Sequence, residues 1–244
     1  MRVASTLAPL LFAVSVLAVP GLSQAQTQPP TQTQDTKAEQ QTKADDSTPI
    51  VYKPPMRGAP ARRVGGATRG ASDKNLVLNV LAPEQTGMTM QAQPTLYWYV
   101  SKPSNTTLEL TLIADAAEKP VFSQNVSVTQ AGVQAIDLAQ RGVTLAPDTD
   151  YEWFVSVVTD ATQRSKDITR GGVIRRVAVD PAVQSRAAAA GPRGAARVYA
   201  EAGLWYDAIA ALSRQIDSNP ADANLRTQRA GLLKQIGLPP MADQ

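Results

Sequence analysis

The spacing of apolar residues changes once along this chain, near Pro181, and no other feature limits the possible fold so tightly. Before that point apolar side chains fall at every second position. "TLYWYV" (95–100) alternates Leu96, Trp98 and Val100 against Thr95, Tyr97 and Tyr99. "TLELTLIA" (107–114) sets Leu108, Leu110 and Leu112 on one face, and "YEWFVSVV" (151–158) aligns Tyr151, Trp153, Val155 and Val157. Alternation over about six to eight residues marks a strand with one buried face. Weaker strands are expected at 76–81, 120–128, 133–138 and 172–179, separated by the turn material "KPSN", "AEKP", "QRG" and "APDTD". Beyond Pro181 the repeat becomes helical: Leu204, Ala208, Ala211, Leu212 and Ile216 share one stripe. The expected class is α+β, mainly β.

About seven short strands over 75–180 imply an immunoglobulin-like β-sandwich, its two faces meeting over Trp98 and Trp153. Leu145, Pro147 and Tyr151 in "LAPDTDYEW" resemble the Leu-x-Pro-x-x-x-Tyr corner of fibronectin type III domains. That resemblance makes Tyr151 structural, its hydroxyl bonding back to the chain. The 181–240 segment reads as a helical hairpin plus a further helix. Gly203 separates its first two helices, and "SNP" closes the second before Pro220. Tyr199, Gly203, Ala208 and Pro220 sit at spacings similar to those of a tetratricopeptide repeat, without its usual Trp and Leu-Gly. A solenoid groove needs about three stacked repeats, so these helices are expected to dock on the sandwich or on a partner.

The N-terminus sets the expected compartment. Arg2 precedes the apolar run "LAPLLFAVSVLAV" (7–19), and Ser23 and Ala25 are the small residues of a signal-peptidase site. The run is shorter than the roughly 20 residues of a membrane span. Residues 1–25 are thus expected to be a signal peptide cut after Ala25, giving a periplasmic or secreted chain. Residues 26–50, rich in Gln, Thr and Pro, read as a disordered linker. Residues 51–74 form a basic Gly/Arg-rich arm with Arg57, Arg62, Arg63 and Arg69 and no acid before Gly70. The arm has two readings: contact with an anionic envelope surface, or an irregular first strand packed on the sandwich.

The residue inventory removes much chemistry. The chain has no histidine and no cysteine. It therefore has no Ser-His-Asp triad, no cysteine nucleophile, no histidine-based zinc site and no disulfide. "GGATRGAS" (65–72) has the outline of a phosphate loop, but Ala71 stands where lysine belongs, and the preceding prolines argue against a central strand. Asp148 and Asp150 read as a solvated turn rather than a calcium site. No cofactor and no nucleic-acid partner are expected, since the pI near 9.2 reflects only 24 basic against 21 acidic residues.

The ordered blocks "RGAPARRVGGATRG", "LAPEQTGMTMQAQPTLYWYV", "YEWFVSVVTDATQRSKD", "GGVIRRV" and "YAEAGLWYDAIAAL" resemble the bacterial family catalogued as domain of unknown function 928. The resemblance implies a secreted protein and assigns no catalytic residue. The expected function is a non-catalytic protein-interaction module with a protein partner in the bacterial envelope. The alternative is binding of an anionic polysaccharide or lipid surface through the arm and exposed aromatics. A carboxylate-based hydrolase is the remote third reading. The candidate interaction surface comprises Arg57, Arg62, Arg63, Arg69, Tyr97, Tyr99, Trp205 and Tyr206. Trp98, Tyr151, Trp153, Gly203, Ala208 and Pro220 are the structural candidates.

Overall fold

A computed structural model describes residues 48–55, 76–115 and 117–239. Its strands are β1 (Leu78–Val80), β2 (Gly87–Thr89), β3 (Thr95–Val100), β4 (Ser104–Ala114), β5 (Phe122–Val128), β6 (Gly132–Asp137), β7 (Asp150–Val157) and β8 (Ile168–Arg176). Three helices follow: α1 (Pro181–Glu201), α2 (Trp205–Ser218) and α3 (Ala223–Gln235). The class is α+β, mainly β. One sheet has the order β1-β3-β6 and the other β2-β8-β7-β4-β5. Every pairing is antiparallel except that of β2 with β8. The strand β2 was not legible in the sequence, because three residues beginning with glycine carry no period.

The inner faces of the two sheets share one core. Leu96, Trp98 and Val100 of β3 belong to the same cluster as Leu108, Leu110 and Leu112 of β4 and Trp153 and Val155 of β7. Alternation had assigned these side chains inward, and all are nearly fully buried. The Tyr151 hydroxyl accepts a hydrogen bond from Ala146 N–H at 2.9 Å, which pins the turn before β7. Asp150 is held by a two-pronged ion pair with Arg175 (2.5 and 2.7 Å).

The helices have local causes. Asp180 caps α1 by accepting from Ala182 N–H (2.8 Å), and Pro181 occupies the first turn, where its missing N–H costs nothing. Gly191 (φ 67°) interrupts α1, and Pro192 restarts it. Gly203 (φ 79°) turns the chain into α2. Asp222 caps α3 by accepting from Asn224 N–H at 3.0 Å.

The ends of the expected linker and arm behave differently from that expectation. Residues 48–55 lie as a strap along the helices. Gln235 accepts Tyr52 N–H (2.9 Å) and donates to Ile50 O (2.8 Å). Lys53 N–H donates to Ala200 O (3.0 Å), and Arg197 donates to Thr48 O (2.6 Å) and Pro49 O (3.0 Å). The Tyr52 ring meets Trp205 edge-on at 4.9 Å, and burial pushes its phenol up to about 12. An added Cβ on Gly203 would sit 2.9 Å from Lys53 O, so that glycine also makes room for the strap.

Candidate functional site

The surface of exposed aromatics expected from the sequence does not form. Trp205 and Tyr206, at the start of α2, are 0% and 2% exposed. Trp205 Nε1–H donates to Leu81 O at 2.8 Å. Tyr206 Oη accepts from Trp153 Nε1–H (2.8 Å) and donates to Val173 O (3.1 Å). Gly87 leaves the space for Tyr206: a Cβ there would fall 2.6 Å from the Tyr206 ring. The two aromatics are dowels that fix the helices to the sheets.

Tyr97 corrects the same expectation. Alternation puts it on the outer face of β3, but that face is covered by α2, and Tyr97 is 5% exposed. Tyr99 is half-buried against the core. Arg57, Arg62, Arg63 and Arg69 lie outside the described residues. Ala208 is buried in α2, while Pro220 follows it in the exposed turn to α3.

What the docking of α2 creates is a polar seam between that helix and strand β6. Next to Tyr206, the Asp207 carboxylate is 3% exposed. Its Oδ2 accepts from Met90 N–H (3.1 Å), its Oδ1 from Gln91 Nε2 (3.2 Å), and the Thr89 side chain also bonds to it. Burial pushes this carboxyl above the ordinary aspartate range, and those three hydrogen bonds pull it back in part.

Two concavities follow the seam. The first, about 260 Å³, is lined by Gln91, Asp137, Tyr199, Asp207 and Arg214 among others. The second, about 500 Å³, is lined by residues 129–135 of the strand side and by Tyr97, Ser213, Asp217, Arg226 and Arg229. On the helix Arg214 and Ser213 are neighbours in sequence, and on the strand Asp137 and Ala135 are two apart, so the basins adjoin. Arg229, 5% exposed, donates to Ser213 Oγ at 3.2 Å, which holds α3 to α2. Burial raises the Tyr97 phenol; Arg214 and Arg229 oppose that shift and Asp217 adds to it, so all three charges sense the seam floor.

The strand side of the seam is a sheet edge. β6 is the last strand of its sheet. Leu138 N–H donates to Pro94 O at 3.2 Å, and Asp137 stands opposite Thr95. The directly bonded pairs are then Ile136–Leu96, Gln134–Trp98 and Gly132–Val100. Leu81 N–H donating to Tyr97 O (2.9 Å) agrees, since it turns the Tyr97 backbone toward β1. The N–H and C=O groups of Val133 and Ala135 therefore point away from β3, into the open edge. Ala135 is exposed and stands opposite Tyr97, on the α2 side.

The model of one protein family, described as Domain of Unknown Function (DUF928), matches residues 64–244. The chain belongs to the DUF928 family. No curated protein matches it. In this DUF928 chain the match spans both sheets and all three helices, so the seam lies wholly within the family region.

Sequence reasoning missed most of the seam. One signal was present. Asp207 falls three residues after Leu204 and four before Ala211, on the apolar stripe of α2, where a carboxylate must find partners. Arg214, Arg226 and Arg229 gave no signal, because arginines on a helix read as a solvated face. The edge position of β6 depends on sheet order, which a strand's own residues do not encode.

Proposed function

We propose that this DUF928 chain is an exported, non-catalytic protein-interaction module that takes an extended segment of a partner into the seam between β6 and α2. The observation that supports the reading is the edge of β6. Val133 and Ala135 present backbone donors and acceptors to an open groove whose far wall is a helix. Adding a strand to such an edge satisfies those groups and supplies affinity through main-chain hydrogen bonds, while the helix wall reads side chains. Natural proteins blunt exposed edges with lysine, proline or bulges. "GVQAID" has neither residue, and its register with β3 is unbroken. Burial of Tyr97, Trp205 and Tyr206 leaves only Tyr99 partly exposed among the four aromatics of the polysaccharide alternative, which favours strand addition.

The test is site-specific photo-crosslinking in the producing bacterium. A photoreactive side chain at Ala135 should trap a protein partner, and one at Arg186, on the exposed face of α1, should not. Equal trapping at both positions, or none at Ala135, would refute strand addition at β6.

A further inference from the structure

The seam is charged unequally along its length, and this deepens the strand-addition reading on which it rests. At the Asp137 end of β6 the carboxylates of Asp137 and Asp207 face Arg214. At the Gly132 end Arg226 and Arg229 face Asp217, with Arg214 close enough to act on the Tyr97 phenol between them. One end is therefore acidic and the other basic. The sheet that β6 closes is wholly antiparallel, and an antiparallel newcomer extends it with the same alternating hydrogen-bond pattern. Such a strand would run from the Asp137 end toward the Gly132 end.

We propose that the segment bound at β6 runs antiparallel to it and carries an acidic side chain, aspartate or glutamate, toward its C-terminal end, seated against Arg226 and Arg229. Arginine suits this task because its planar, always charged guanidinium matches a carboxylate with paired hydrogen bonds. Arg229 is held in place by Ser213, and Arg226 donates to Pro220 O, so both heads are positioned before a ligand arrives. The opposite end, with the half-buried Asp137 beside the buried Asp207, repels an acid placed there. The seam thus distinguishes the two directions in which a peptide can lie. The main-chain ladder gives binding, and the charge gradient gives orientation.

The experiment is selection from a random dodecapeptide library with blocked C-termini on the mature chain, residues 26–244. The selected peptides should be enriched in aspartate and glutamate in their C-terminal halves. A leading peptide, made with an amidated C-terminus, should bind about tenfold more weakly to Arg226→Gln and to Arg214→Glu, and more weakly at high salt. Arg214 is exposed, so its variant keeps the test valid if Arg226→Gln disturbs the turn at Pro220. Ala135→Pro, which removes an outward N–H and leaves the β3 ladder, should abolish binding. A pool that needs Ala135 but has no acidic bias overturns the charge assignment and leaves the groove reading standing. A pool indifferent to Ala135→Pro, or no pool at all, overturns both.

Discussion

Two tryptophans in one core have opposite polar fates, and that contrast can be measured. Trp153 Nε1–H is bonded to Tyr206, whereas Trp98 Nε1–H is buried without an acceptor among the described residues. A bond lost in the interior leaves a stranded partner and costs about 1–3 kcal/mol, while an unpaired group gains little from its N–H. Trp153→Phe should therefore destabilise the protein by more than Trp98→Phe, by about 1–2 kcal/mol in urea titrations. Equal losses would contradict the bonded role of Tyr206. Truncation to alanine removes the packing at either site and should cost about 3–5 kcal/mol. Asp207 gives a second test. Its folded pKa is raised by burial, so the folded state binds a proton that the unfolded state, near the ordinary value of 3.8, has already released. This contribution opposes folding at neutral pH. It is relieved as pH falls through the folded value and is level below the unfolded one. Wild type should thus gain stability relative to Asp207→Asn between pH 7 and about pH 4; a constant difference would contradict the assignment.

At the scale of elements, strand spacing carried the core well and the surface poorly. Alternation placed Leu96, Trp98, Leu108, Leu110, Leu112 and Trp153 inward, because inner-face burial is a property of the strand itself. It placed Tyr97 outward, which was correct for the strand and wrong for the molecule, since α2 covers that face. Trp205 and Tyr206 were misread for a related reason. Neighbours in a helix point about 100° apart, so one stripe cannot bury both, yet Trp205 reaches Leu81 O while Tyr206 packs over Gly87. The strap at 48–55 was the least legible element, because its hydrogen bonds run mostly through backbone to Gln235, Arg197 and Ala200. Its one aromatic is the accessible test. Tyr52→Ala should lower stability by roughly 2–4 kcal/mol through loss of the edge contact with Trp205. A variant with an unchanged melting temperature would show that the strap contributes nothing to the fold.

For the whole molecule, the boundary at Pro181 is one of hydrophobic period and not of stability. Removing the helices would expose Leu81 O, Trp153 Nε1 and the outer face of β3 together. Unfolding should be a single transition, with tryptophan fluorescence and far-ultraviolet circular dichroism coincident in denaturant. A separately folded fragment of residues 190–240 after limited proteolysis would refute this. The export reading makes its own demand: the chain isolated from the producing bacterium should begin at Gln26. A start at Met1 would rule out signal-peptide cleavage.

The strap also sets an order of events. Tyr52 leaves the ribosome 183 residues before Gln235, the side chain that binds its backbone, and Leu81 waits 124 residues for Trp205. Contacts so distant in sequence form late, after the loops between them have closed. A nascent chain stopped short of Trp205 holds neither the strap nor the dowels, and should stay open to protease until the last helices emerge. By this order, most of the chain should stay unfolded until its last helices are made.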